Sequence, residues 1–386
     1  MNMKRIVILT VISFLLSAPH VKSQVADSTD VYLITCAPGN ATYSIYGHTA
    51  LRVCVRGTEI DRVYNWGIFD FSTPNFAFRF AKGRLDYMLG SYSYETFIYE
   101  YITEGRAVWS QTLNLTTAEK EKLFALINEN LKPENVKYRY DFFFDNCATR
   151  IRDILVASAS DTIILPVKEK QKSFRQLVDP NQKVLPWIDF GADMLLGLQA
   201  DRKASPADEM FLPAYLMENL AASVIVHENN REPIVGEPVT VVDLPPASPA
   251  GPAWMPQLVF YLVLLFVILV TFIPGKPLPG RITDIVLFLI YSILALLLIF
   301  TNFFSEHDAL HFNLLILGIN PLITVLLGYI LAGKKAVILS RIALSISLLW
   351  IPVSLFAGQG INPALIPLVL IIMVRLFKHS GFDRYL

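Results

Sequence analysis

The stretch YDFFFDNCATRIRDIL, residues 140–155, sets a cysteine directly behind an Asp-Asn pair and ahead of a run with helical spacing. Asp145 or Asn146 can accept from the first N–H groups of such a helix, which leaves Cys147 at its positive end. Both the free N–H groups and the dipole favour thiolate over thiol. Three readings are open at this point: a buried apolar thiol, half of a disulfide, or a nucleophile.

Composition narrows the setting. The chain has 386 residues, 33 basic and 33 acidic, so nothing marks it as a nucleic-acid binder. Apolar residues make up 53% and charged residues 17%, an imbalance beyond that of ordinary soluble domains. The excess sits at the two ends. Residues 1–23, MNMKRIVILTVISFLLSAPHVKS, pair a Lys4/Arg5 head with a short apolar core and small residues at Val21 and Ser23, which predicts a signal peptide cut before Gln24. From residue 257 the chain is nearly continuous hydrocarbon, and five membrane spans are expected at about 257–274, 282–302, 312–332, 337–357 and 361–377. Lys276, Arg281, Lys334, Lys335, Arg375, Lys378 and Arg384 fall on one side of these spans, and the remaining two loops hold no Lys or Arg. The positive-inside rule then exports the N-terminal part and leaves the C-terminus cytoplasmic. A Pro/Ala/Gly-rich linker, 237–256, separates the expected exported domain, 24–236, from the five-helix domain, 257–386.

Within 24–236 the segments VYLITC, GHTALRVCV and RVYNWGIFDF read as strands. TTAEKEKLFALINENL reads as an amphipathic helix with a Thr116/Glu119 capping box, and SYETFIYEYITEG as a second helix stopped by Gly105. Strands and helices mix without βαβ regularity, so the expected class is α+β. No Gly-rich phosphate loop is present, and the cysteines at 36, 54 and 147 lack metal-ligand spacing, so neither cofactor nor metal is expected. Cys36 and Cys54 could pair or remain two buried thiols. Cys147 is then the odd one. His48, at the start of a strand, is the one well-placed proton acceptor, or else simply a solvated or core-bonded histidine. From Tyr64 to Tyr101, 13 of 38 residues are aromatic, interleaved with Arg79, Lys82 and Arg84, more rings than a small core absorbs along one stretch. The surplus suits an interfacial face or an acyl groove.

A His-bearing strand followed later by an Asn-Cys helix resembles the circularly permuted papain-like enzymes, including the lecithin retinol acyltransferase family. More closely, ITCAPGNATYSIYGHTALRV, VYNWGIFDF, FAKGRLDYMLG, EGRAVWSQTLNLT and YDFFFDNCATRIRDIL are similar, in that order, to the Lnb-type lipoprotein N-acyltransferases of Bacteroidetes, and the likeness extends through MFLPAYLM into FFSEHDALHFNLLILGINPL. The resemblance implies a permuted papain-like periplasmic domain on an inner-membrane tail. It implies transfer of an acyl chain from phospholipid to the α-amine of a diacylated lipoprotein, through a thioester on Cys147 with His48 as base. Papain-like enzymes hold the imidazole with a third polar group, for which Asn65 is the candidate, with Asp61 behind it. Arg84, Arg150 and Tyr46 are the candidate substrate contacts. A cell-wall amidase or peptidase, or a phospholipase, could use the same pair of groups, and a non-catalytic membrane module around His307 and Asn313 is a third possibility.

Overall fold

The structure, a computed structural model, describes residues 26–227, 230–272 and 277–382. The expected signal peptide, Lys276 and Arg384 lie outside the described residues. The chain divides into two compact units. One holds the residues up to Pro74 with Leu85–Lys170 and Ser205–Ala247, and the other holds Asn75–Arg84, Gln171–Ala204 and Ser248–Leu386.

The strands are β1 (Thr29–Cys36), β2 (His48–Val55), β3 (Asp61–Ile68), β4 (Asp86–Ser93), β5 (Val108–Thr112), β6 (Lys137–Arg139), β7 (Ile163–Ile164), β8 (Val224–His227), β9 (Asn230–Pro233) and β10 (Val239–Val242). The helices are α1 (Phe76–Lys82), α2 (Tyr94–Thr103), α3 (Thr117–Asn130), α4 (Cys147–Ser158), α5 (Phe174–Gln182), α6 (Pro186–Leu195), α7 (Pro206–Glu209) and α8 (Pro213–Ala221). The apolar tail adds α9 (Met255–Phe272), α10 (Pro277–Phe303), α11 (Leu315–Gly318), α12 (Leu322–Leu331), α13 (Val337–Ala357) and α14 (Leu365–His379).

In the first unit seven antiparallel strands run in the order β10-β5-β1-β2-β3-β4-β6, and β7-β8-β9 form a smaller sheet. The mixture is α+β, as expected. Period-2 alternation explains both faces of the large sheet. Ile34, Cys36, Ala50 and Val63 meet Phe97 and Tyr101 of α2. The helix α4 packs on β2 and β3 with Ala148, Ile151 and Leu155 buried. The Thr116/Glu119 capping box of α3 is formed, and Ser93 caps α2. The register also answers the cysteine question. Cys36 lies opposite His48 and Cys54 opposite Asp30. With six strand positions between His48 and Cys54, the two thiols sit about 20 Å apart along the ladder, too far to bridge. All three cysteines are free.

Among the described residues of the second unit three helices are long and apolar enough to cross a membrane, Met255–Phe272, Gly280–Phe303 and Val337–Ala357. The other two expected spans take a different form. The third is broken into α11 and α12 at Asn320-Pro321, because proline cannot donate into a helix. Side chains satisfy carbonyls this frees: Ser347 Oγ donates to the Gly318 carbonyl at 2.9 Å and Asn320 Nδ2 to the Leu317 carbonyl at 3.4 Å, while Nδ2 also ties the break to α13 through Ala343 O at 3.1 Å. The fifth, α14, is 15 residues long. It contains Arg375, expected as a loop charge beyond the last span. That residue is buried instead, with Nε donating to Asp284 Oδ1 at 2.6 Å and Nη1 to Thr271 at 2.7 Å. Phe288, Tyr291, Trp350 and Ile372 belong to the core of this unit. Asn313 is a structural node there. Its amide donates to Met194 O at 2.8 Å, and its backbone N–H donates to Asn302 Oδ1 at 2.7 Å.

Candidate active site

Asn146 builds the head of α4. Its Oδ1 accepts from the N–H groups of Ala148 and Thr149, both at 2.9 Å, and Thr149 Oγ1 accepts from the Asn146 N–H at 2.7 Å. Its Nδ2 donates to Phe142 O and Phe211 O, each at 2.8 Å. The side chain is therefore fully used, and Cys147 is pinned as the first helical residue. A cap of this kind stabilises a helix by about 1 kcal/mol.

Burial is the largest influence on the Cys147 thiol and pushes it up to about 11, while the N–H groups of Thr49, Ala148 and Cys147 itself pull the other way. The sequence predicts a favoured thiolate at this position. Desolvation outweighs the helix terminus, and the resting group is a thiol. Tyr87, Tyr138 and Tyr140 lie close enough for negative charge on Cys147 to raise their phenols further. Tyr87 and Tyr140 stack with ring centroids 4.0 Å apart, an aromatic wall beside the sulphur.

His48 opens β2 after Gly47, whose φ is +80° and whose missing Cβ would stand 2.7 Å from Cys36 O, so only glycine fits. Its Nε2 lies 2.6 Å from Asn65 Oδ1, and Asn65 Nδ2 lies 2.7 Å from the Tyr92 hydroxyl. This chain orients the imidazole. With the Asn65 amide donating to Tyr92, Oδ1 is left to accept, so His48 carries its proton on Nε2 and leaves Nδ1 bare. Burial pushes the imidazole down to about 4, against the raising effect of Asn65. The resting imidazole is neutral and basic at one nitrogen.

Gly67 joins the two groups. It sits where β3 shifts register against β4 between Asn65 and Ile68, with φ +94°. A Cβ built there would lie 3.5 Å from Cys147 Cβ and 3.8 Å from His48 Cε1. Thiol and imidazole thus flank one point, which a glycine leaves open. A neutral thiol, a neutral imidazole with a free lone pair, and converging backbone N–H groups can together perform nucleophilic addition to a carbonyl without a metal.

The other candidates distribute differently. Tyr46 packs on Phe142 with centroids 4.6 Å apart, adjoining the Asn146 anchor. Arg150 makes a two-pronged ion pair with Asp145 and lies 4.2 Å over the Tyr138 ring. It lines a surface depression of about 410 Å³ with Asn130, Phe144 and Asp153, a depression that includes neither Cys147 nor His48. Arg84 belongs to the second unit, where Nε donates to Glu306 at 2.7 Å. Asp61, the second candidate for holding the imidazole, pairs elsewhere, since both its oxygens accept from Arg52, at 2.8 and 2.7 Å. Tyr92, Gly67 and the Thr49 N–H were not singled out by sequence. The Gly after Asn65-Trp66 was the available signal for a bulge.

Comparison with known families matches the Lnb N-terminal periplasmic domain over residues 19–178 and the Lnb transmembrane domain over residues 249–383. Neither curated proteins nor solved structures gave a match. Two consecutive domains of one family cover most of the chain, the first holding the histidine strand and then the cysteine helix, the second the apolar tail. The chain belongs to the Lnb family of membrane-bound lipoprotein-modifying proteins, with a periplasmic N-terminal domain and a transmembrane C-terminal domain in the inner membrane.

Proposed function

We propose that the protein is a lipoprotein N-acyltransferase that moves an acyl chain from a phospholipid to the α-amine of a diacylglyceryl-cysteine through a thioester on Cys147. The observation that carries this reading is the shared point beside Gly67, flanked by Cys147 and by the neutral imidazole of His48.

In the first half-reaction the Cys147 sulphur adds to the phospholipid ester carbonyl as His48 Nδ1 takes the thiol proton. Moving the proton in step with attack avoids a resting ion pair, which burial at both groups disfavours. The oxyanion meets the N–H groups of Cys147 and Thr49. Collapse expels the lysophospholipid alkoxide, which recovers the proton from His48, and the acyl group remains on sulphur. In the second half-reaction the lipoprotein amine adds to the thioester, gives its proton to His48, and the departing thiolate takes that proton back. Aminolysis of a thioester runs downhill, so no nucleotide is required. Asn65, itself held by Tyr92, keeps the imidazole in the tautomer this cycle uses. The order of histidine strand and cysteine helix supports a permuted papain-like arrangement. The positive loop residues support a cytoplasmic C-terminus.

Purified protein incubated with phospholipid labelled in its acyl chains should hold label on Cys147 until a diacylated lipopeptide with a free α-amine is added. N-acetylating that lipopeptide should block transfer. Release of free fatty acid at the same rate with or without acceptor would make the protein a phospholipase. Cleavage of peptidoglycan stem peptides with no label on Cys147 would make it a cell-wall amidase.

A further inference from the structure

The seven-residue helix α1 buries none of its side chains. A helix this short has no reason to persist in water by itself. It is held by its carboxyl end. Ser305 Oγ donates to Ala81 O at 2.8 Å, the Glu306 N–H donates to Lys82 O at 2.9 Å, and His307 Nε2 lies 2.7 Å from Phe80 O. The Lys82 ammonium donates to Phe304 O, and Arg84 pairs with Glu306. Gly83 closes the seam, with φ +76° and a missing Cβ that would stand 3.1 Å from Glu306 Cβ and 3.2 Å from His307 N. The partners 304–307 directly follow Phe303, the last residue of a membrane-length helix, and Phe78 meets Phe300 of that helix at 6.2 Å.

This fastening fixes what α1 presents. Phe78 is 62% and Phe80 50% exposed, and the adjoining Phe303 and Phe304 are 72% and 57% exposed. Between Phe78 and Phe80 stands Arg79, which is exposed and, unlike Lys82 and Arg84, has no acceptor among the described residues. Because α9 starts from the periplasmic domain and α10 returns, the Phe303 end lies at the periplasmic face of the membrane. Exposed aromatic rings and a free guanidinium at the level where a span ends are the composition of a membrane interface.

We infer that α1 is an interfacial anchor whose phenylalanines enter the periplasmic leaflet of the membrane and whose Arg79 holds the phosphate of an anionic phospholipid there. The occupant is lipid because the surface continues the apolar end of α10, and the cation complements a phosphate.

The test uses full-length protein in vesicles of phosphatidylethanolamine and phosphatidylglycerol. Tryptophan emission of Phe80→Trp, and separately of Phe78→Trp, is compared with the wild-type background. Lipids brominated near the headgroup should remove the added emission, deep-brominated lipids should remove less, and aqueous iodide should remove little. In mass spectrometry of lipid retained through purification, Arg79→Gln should lower the preference for phosphatidylglycerol by about fivefold, the weight of one cation at an anionic surface. Quenching by iodide but not by brominated lipid, in both tryptophan variants, overturns the anchor. An unchanged lipid preference in Arg79→Gln overturns the phosphate assignment. Neither readout uses catalysis, so the outcome is separate from the fate of the acyl-transfer reading.

Discussion

His48 and Arg175 are both enclosed polar groups, one in each unit, and their surroundings treat charge in opposite ways. Around Arg175 the guanidinium is met by full opposite charge. Nε and Nη2 donate to Asp201 at 2.9 and 3.1 Å, Nη1 to Asp193 at 2.7 Å, and Nη2 also to Leu196 O at 3.0 Å. Gly360 lies against this guanidinium, where a Cβ would come within 2.8 Å of Arg175 Cδ. Around His48 the hydrogen-bonding groups are uncharged, and the more distant Arg106 and Glu104 act on the imidazole in opposite directions. Asn65 and Tyr92 are neutral, and burial drives the imidazole down and the Cys147 thiol up. A matched ion network is a fixed structure, because moving one proton strands a charge. An uncharged, oriented pair can pass a proton when substrate arrives. The difference separates a strut from a site.

The sharpest way to break this comparison is Cys147→Ala. Acyl transfer should fall by about six decades, the scale of losing a nucleophile, while thermal stability in detergent stays close to wild type. Retained transfer would remove the covalent mechanism. His48→Gln should slow acylation of Cys147 by about two to four decades, measured in single-turnover experiments with labelled phospholipid. The same variant tests the neutral imidazole. A group depressed from 6.5 to about 4 supports the fold above 6.5, and that support is lost as pH falls through 4. Wild type should therefore lose melting temperature from pH 6.5 downward, and His48→Gln should lose less over that window.

Arg175→Ala should do the reverse of Cys147→Ala. It strands two buried carboxylates and should cost about 3–5 kcal/mol of stability, read by denaturation, with the chemistry of surviving protein intact. Gly67→Ala should reduce transfer by about a hundredfold, since the new methyl occupies the point between thiol and imidazole. Tyr92→Phe is the mildest. Loss of one hydrogen bond to Asn65 should lower the acylation rate about two- to tenfold without changing KM. A changed KM with an unchanged rate would assign Tyr92 to substrate binding instead of positioning.

Local chemistry was legible and distant register was not. Asn146, Cys147 and the apolar stripe of α4 lie within one helical turn or two of each other, so capping and spacing alone placed the thiol. Asn65 was readable as a polar residue on the strand next to His48. Tyr92 was not, because it reaches Asn65 only through the pairing of β3 with β4, 27 residues away and across a bulge. The expected thiolate failed for a related reason. A helix terminus shows in sequence, whereas the side chains that bury it come from β2, β3 and the Tyr87–Tyr140 stack. Likewise Arg84 reads as a cation beside aromatic residues, and only the seam with residues 304–307 reveals that Glu306 already holds it. Pro321 was visible, but hydropathy averages over a proline and reports one span where the chain makes two short helices.

The pairing of Asp284 with Arg375 bears on how the protein is made. Asp284 leaves the ribosome 91 residues ahead of its partner, in the second helix to enter the membrane. Until the last helix arrives, that carboxylate lacks the Arg375 guanidinium and should be held back toward the headgroups, where water can still solvate it. Insertion of α14 is therefore the step that lets α10 settle to its final depth. A chain cut before Leu365 should enter the membrane with an exposed polar flaw that quality-control proteases read, and a tag placed after the described C-terminal residues should leave maturation untouched.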